Sequence, residues 1–189
     1  MKHYLEIQVQ PDPEFPAPHL MNALFAKLHR GLVVQQGAGP VGVSFPAVDE
    51  RVPTLGTRLR LHAARAQVLE ALMAADWLRG LRDHVAVTGV AEVPAQVRHR
   101  VVSRMQAQSS PERLRRRLMR RHTLTEAEAR ERIPDSVAER LRLPYVQLRS
   151  TSTGQSFCLF ISHGPLLDEP VAGEFSAYGL SATGSVPWF

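Results

Sequence analysis

The stretch HYLEIQV, residues 3–9, decides how the first half of the chain folds. Leu5, Ile7 and Val9 alternate with Tyr4, Glu6 and Gln8, the period-two pattern of a half-buried strand. The proline-rich run PDPEFPAP, residues 11–18, ends that strand. Leu20, Met21, Leu24, Phe25, Leu28 and Leu32 then follow helical spacing, which predicts an amphipathic helix over 18–35, closed by Gly37 and Gly39. Val41, Val43 and Phe45 mark a second strand, and Leu59, Leu61 and Ala63 a third. Val68, Leu69, Leu72 and Met73 mark a second helix at about 65–75, and Val85 and Val87 a fourth strand before Pro94. The order β-α-β-β-α-β is the ferredoxin-like arrangement, expected here over 1–95.

The rest, 96–189, reads as a second domain of different character. Residues 98–103 are expected to be extended. A helix is expected from Pro111 to about His122, with Ser110 as its N-cap, Pro111 in its first turn and Glu112 near its positive end. Thr125 and Glu128 have capping-box spacing and open another helix, which Pro134 stops. A short third helix is expected at about 135–141. Strands at 145–149 and 157–161 form a hairpin around TSTGQ, and 175–180 and 186–189 are further strand candidates. The whole is an α+β fold: a ferredoxin-like domain, and a C-terminal α/β domain carrying an arginine-rich helix and a β-hairpin.

Charge separates the two halves further. Of 23 basic residues, 21 are arginine, the forked donor suited to phosphates and guanine edges. Residues 1–96 carry nine basic and nine acidic groups, whereas 97–122 carry nine arginines against Glu112 alone. So local an excess points to a polyanion site, not a generally basic surface. Hydrophobic residues make up 44% of the chain, enough for a core. No apolar run has the length of a membrane span, and the first residues do not read as a signal peptide. One cysteine, Cys158, excludes an internal disulfide framework and a cysteine-clustered zinc site, and a reducing cytoplasm is the expected home. No His/Asp/Glu grouping has metal-ligand spacing, so no metal and no cofactor is expected.

The arginine-rich segment is PERLRRRLMRRH, residues 111–122. On a helical projection Leu114 and Leu118 lie about 40° apart, a narrow apolar stripe. Arg113, Arg116, Arg117, Arg120 and Arg121 fill an arc of about 140° beside it, and Arg115 points elsewhere. Two readings stand: a basic face that is either solvated or paired to acids of 123–189, or a helix that binds phosphates. Charge alone does not separate RNA from DNA. A short RNA hairpin suits a single helix on a small monomer, whereas a DNA operator usually wants a symmetric dimer. Upstream, Arg104 and Gln106 would share one side of an extended segment, and such side chains read guanine and adenine in a major groove. From spacing alone they are equally two exposed linker side chains.

The segments VSRMQAQSSPERLRRRLMRRH, LRSTSTGQSFCLFISHGP and YGLSATGSVPWF closely resemble the CRISPR-associated, repeat-specific endoribonuclease of subtype I-F, which processes precursor CRISPR RNA. HYLEIQVQPDPEFP and LFAKLHRGLV belong to the same resemblance, which spans essentially the whole chain. It implies binding of the repeat's stem-loop with the arginine helix in the RNA major groove. It also implies metal-independent cleavage at the 3′ base of the stem, leaving a 5′ hydroxyl and a 2′,3′-cyclic phosphate. It implies an enzyme that stays on its product and joins other subunits of the effector complex; the protein is expected to be a monomer. By the same resemblance the catalytic residues are His29, Ser150 and Tyr178, and the base-reading pair is Arg104 and Gln106. Groove and phosphate contacts fall mainly on Arg116, Arg117, Arg120, Arg121 and His122, with Phe157 stacking on the base of the stem. Cys158 stands where a basic or polar residue is expected, which weakens one phosphate contact without touching the chemistry. The family's glycine-rich loop is reduced to Gly179 and Gly184.

Cleavage by the neighbouring 2′ hydroxyl needs a base, a group that holds the ribose in line, and donors for the phosphorane charge. Histidine is the side-chain type whose ordinary pKa, about 6.5, suits the first role. By spacing alone His29, four residues after Phe25 at the edge of the apolar face, is a structural histidine; the resemblance makes it the base. Ser150, at the tip of the hairpin, is either a turn serine or the group that orients the ribose, with Ser152 close by. Tyr178 is either a core aromatic or the residue that positions His29. His3, His19, His62, His84, His99 and His163 read as surface or structural. A non-catalytic RNA-hairpin-binding module and, less favoured, a DNA-binding regulator are the alternatives.

Overall fold

The computed structural model describes residues 1–35, 37–105, 111–122, 124–134, 142–150 and 154–189, with the side chains of 111–113 outside the description. The chain divides into two compact units, one of Met1–Met105 with Leu143–Phe189 and the other of Gln106–Arg142. The fold is α+β. The expected division at 95/96 falls between the last strand of one sheet, ending at Glu92, and the first of the next, beginning at Arg98.

The first sheet follows the expected order. Strand β1 (His3–Val9) leads to helix α1 (Ala17–Val34), β2 (Val41–Ser44), β3 (Arg58–Ala63), helix α2 (Ala66–Ala74) and β4 (Val85–Val87). The strands lie in the order β2-β3-β1-β4, all pairings antiparallel, which is the ferredoxin-like topology. A two-residue strand, β5 (Ala91–Glu92), continues along the same edge of β1 with Tyr4 opposite Ala91. The alternation of β1 is realised as read: Leu5, Ile7 and Val9 are buried beneath the helices. The helical spacing of α1 is realised too, with Leu20, Leu24, Phe25 and Leu28 almost wholly sealed from solvent. Burial of each such side chain stabilises the fold by roughly 1.5–3 kcal/mol.

The second sheet comprises β6 (Arg98–Met105), β7 (Tyr145–Arg149), β8 (Ser156–Leu167) and β9 (Ser185–Trp188), in the order β7-β8-β6-β9. Strand β8 runs well beyond the expected 157–161, and its pairing with β6 slips between Arg100 and Val102. Met105 of β6 and Tyr145 of β7 both lie opposite Phe160 of β8, on its two sides, so the chain leaves and rejoins the sheet with β8 between the two points. Residues 175–180 are not a strand. The spacing of Phe175, Ala177 and Gly179 imitates alternation, but Gly179 has φ +70 and the chain turns: Gly179 N donates to Ser176 O at 2.8 Å and Ser176 N to Leu180 O at 2.9 Å. The short helix expected at 135–141 and the N-cap Ser110 lie outside the described residues.

The sheets are tied together within this unit. Gly42 of β2 lies against β9 so closely that a Cβ there would sit 2.6 Å from Val186 Cγ1. Arg60 of β3 is buried, with Nη2 donating to Glu6 Oε1 at 2.6 Å and Nη1 to the backbone oxygen of Phe189 at 2.7 Å. Its guanidinium lies 3.7 Å from the centre of the Phe189 ring, a cation–π contact that anchors the final strand to the first sheet.

In the second unit, helix α3 (Pro111–Arg121) packs on helix α4 (Glu126–Arg132). The capping box of α4 forms as read: Glu128 N donates to the Thr125 hydroxyl, and Glu128 Oε2 accepts from Thr125 N at 2.8 Å. Hydrogen bonds from the Thr125 side chain and backbone lower the pKa of Glu128. Among the described residues no helix is long and apolar enough to cross a membrane.

Candidate active site and basic helix

Helix α1 carries His29 at the edge of its buried face. His29 Nδ1 lies 2.9 Å from the backbone oxygen of Ala177. A carbonyl only accepts, so Nδ1 carries the hydrogen and the lone pair of the neutral ring is on Nε2. That is the tautomer a general base requires. Tyr178, next to Ala177, covers the imidazole: the rings are 4.0 Å apart at 12°. Phe25 runs almost parallel to Tyr178 at 6.3 Å. The turn of residues 176–179 fixes this stack. A Cβ on Gly179 would lie 2.3 Å from Val43 Cγ2, and Val43 N donates to Gly179 O at 2.8 Å. Glycine is required there both for the positive φ and for the close approach.

Ser150 follows β7 directly. Its backbone N–H donates to Gln155 O at 2.9 Å, and Gly154 N donates back to Ser150 O at 2.9 Å. Gly154 takes φ +68, and Arg149 Nε donates to its oxygen at 2.9 Å. Hydrogen bonds among the described residues therefore hold the ends of the connection between β7 and β8, while 151–153, with Ser152, lie outside the described residues. Phe157 of β8 is opposite Leu148 of β7.

These parts meet in one cleft of about 540 Å³, lined by His29, Ser150, Phe157 and Tyr178, with Ala26, Val33, Val34 and Leu148 as apolar wall. Three catalytic candidates and the stacking candidate, from four segments of chain, thus share one cavity. Arg30 and Arg149 complete the lining, which holds no carboxylate among the described residues. Sequence reasoning had not singled out these two arginines; their adjacency to His29 and Ser150 was the available signal. Among the described residues no group of three or more His, Cys, Asp or Glu side chains is placed to hold a metal ion.

The basic helix follows its projection. Leu114 and Leu118 are half-buried, while Arg116, Arg117, Arg120, Arg121 and His122 are exposed. Among the described arginines of the helix only Arg115 turns in: it is 9% exposed, and its Nε donates to Ile133 O at 2.8 Å, at the C-terminal end of α4. A cation there satisfies a terminal carbonyl and complements the helix dipole. Among the described residues no carboxylate pairs with Arg116, Arg117, Arg120 or Arg121. Arg104 is exposed near the end of β6. Its expected partner Gln106, and the side chain of Arg113, lie outside the described residues.

Residues 4–189 match the family model described as CRISPR-associated protein (Cas_Csy4). Over 189 residues, all of both chains, this chain is 59% identical to a protein of Pseudomonas aeruginosa (strain UCBPP-PA14) named CRISPR-associated endonuclease Cas6/Csy4. It is 52% identical, again over the full length of both, to a protein of the same name from Escherichia coli (strain UTI89 / UPEC).

Proposed function

The chain belongs to the Cas_Csy4 family of CRISPR-associated proteins, and from that premise we propose that it is a metal-independent endoribonuclease that matures CRISPR RNA. It binds the stem-loop of the repeat and cuts at the 3′ base of the stem. The observation that carries this reading is the cleft in which the imidazole of His29, the hydroxyl-bearing Ser150 and the ring of Tyr178 lie together.

In the reaction, Nε2 of His29 takes the proton of the 2′ hydroxyl. The 2′ oxygen attacks the adjacent phosphorus, the bond to the 5′ oxygen breaks, and the products are a 2′,3′-cyclic phosphate and a 5′ hydroxyl. Ser150, on a pinned hairpin, holds the ribose so that attack is in line. Tyr178 and Ala177 keep the imidazole in its tautomer and orientation. Such positioning is worth orders of magnitude in rate. The exposed arginines of α3, with His122, grip the stem through its phosphates and groove. Arg104 and Gln106 read bases, and Phe157 stacks at the foot of the stem. The protein acts as a cytoplasmic monomer that keeps its product and joins further subunits of a CRISPR effector complex.

The test is a repeat hairpin incubated with the protein and resolved on a denaturing gel. One cut at the 3′ foot of the stem is expected, unchanged by excess chelator and abolished by a single 2′-deoxy substitution at the scissile nucleotide. Binding without any cut would instead make the protein an RNA-holding module. Cutting of the 2′-deoxy substrate would show another nucleophile.

A further inference from the structure

The cleft is cationic in a way the roles above do not use. Arg30 follows His29 on α1 and Arg149 precedes Ser150 on β7, and both line the cavity. Arg30 is exposed and has no hydrogen bond or ion pair among the described residues. Arg149 donates from its Nε to Gly154 O at 2.9 Å. Four further N–H donors remain on its two terminal nitrogens. The rest of the lining is largely apolar, and it holds no carboxylate among the described residues. Two like charges beside a low-dielectric wall focus a positive potential that an anion relieves.

We propose that Arg30 and Arg149 bind the non-bridging oxygens of the scissile phosphodiester. This assignment rests on the nuclease reading of the same cleft. As the 2′ oxygen bonds to phosphorus and its proton passes to His29, the phosphorus group gains one negative charge. When the bond to the 5′ oxygen breaks, that oxygen leaves with the bonding pair and takes a proton from solvent. The two guanidinium groups face the charge where it grows, which lowers the barrier. The cyclic phosphate product is still an anion, so the same pair also holds the cut end.

The experiment compares two hairpin RNAs of identical sequence that end at the cleavage position, one in a 2′,3′-cyclic phosphate and the other in a 2′,3′-diol. Affinities are measured at fixed salt for the full-length wild type, Arg30→Ala, Arg149→Ala, Arg149→Lys and the double alanine variant. The wild type is expected to prefer the phosphate-terminated RNA about tenfold. Each single alanine variant loses part of that preference and the double variant all of it, while affinity for the diol RNA is unchanged. Arg149→Lys keeps most of the preference. No preference in the wild type, or a full preference in the double variant, overturns the assignment. Arg30→Ala changes an exposed, unbonded side chain, so it remains informative even if Arg149→Ala disturbs the hairpin. The readout needs no turnover: a wild type that leaves the repeat uncut removes the nuclease reading, whereas a missing end preference removes only this pair.

Discussion

The imidazole of His29 lies nearly flat against the ring of Tyr178, 4.0 Å away and 12° from parallel, while its Nδ1 is held by Ala177 O. One turn, residues 176–179, supplies both constraints. The imidazole therefore has a fixed orientation and a fixed tautomer.

Replacing His29 with alanine should lower the single-turnover cleavage rate about 10²–10⁴-fold, the usual contribution of a general acid–base group. Affinity for the hairpin should stay within a few fold of wild type. Full activity of this variant removes His29 from the mechanism.

Tyr178→Phe retains the stacked ring and should cleave at close to the wild-type rate. Tyr178→Ala removes a ring contact worth about 0.5–1.5 kcal/mol and should slow cleavage by up to about tenfold. Gly179→Ala should have the larger effect, since its Cβ would meet Val43 Cγ2 at 2.3 Å and its φ is left-handed. Loss of both rate and thermal stability is the expected result. A phenylalanine variant as slow as the alanine one would place the role in the hydroxyl.

Arg117→Ala should reduce the slope of log affinity against log salt by about 0.7–0.9, one phosphate contact. Arg115→Ala should behave differently. Its Nε serves Ile133 O, and such charge-assisted bonds contribute about 1.5–3 kcal/mol, so the 106–142 unit should lose stability. Urea melts of the two variants beside their salt titrations separate the roles.

Acid should destabilise the unit that holds His163. Its ring nitrogens are sealed from solvent without hydrogen-bond partners among the described residues, between the rings of Phe45 and Trp188. Burial, and then the Arg100 guanidinium, push its pKa down from 6.5 to about 4; Arg100 is itself paired with Glu50 at 2.8 Å. The unfolded chain thus takes up this proton first. Stability from this residue is complete above about pH 6.5 and falls by roughly 3 kcal/mol as pH drops toward 4. Burial lowers the pKa of His62 in the same sense. His163→Phe should flatten the pH dependence of thermal unfolding between pH 6.5 and 4; an unchanged profile would assign it to other groups.

Local pattern told most of the first sheet, because Leu5, Ile7 and Val9 on β1 and the apolar face of α1 are periodic and are buried on that period. It misread 175–180, where alternating Phe175, Ala177 and Gly179 disguise a turn that exists because Gly179 must fit against Val43. It also ended β8 too early: beyond Ile161 the strand continues through Gly164 and Pro165, which local propensity disfavours and pairing with β6 supports. Of the cleft, the family pattern supplied His29, Ser150 and Tyr178. Arg30 and Arg149 were not singled out: their only signal was adjacency to His29 and Ser150, and nothing in their spacing reports that α1 and the end of β7 border one cavity.

The chain departs from β6 at Met105 and returns in β7 at Tyr145, on either side of Phe160. Two strand spacings, about 10 Å, separate those points. Such an insertion is a cassette: a different grip, or a bare turn of a few residues, can span the same gap without shifting a single strand. The insertion and the two sheets are therefore free to diversify at different speeds.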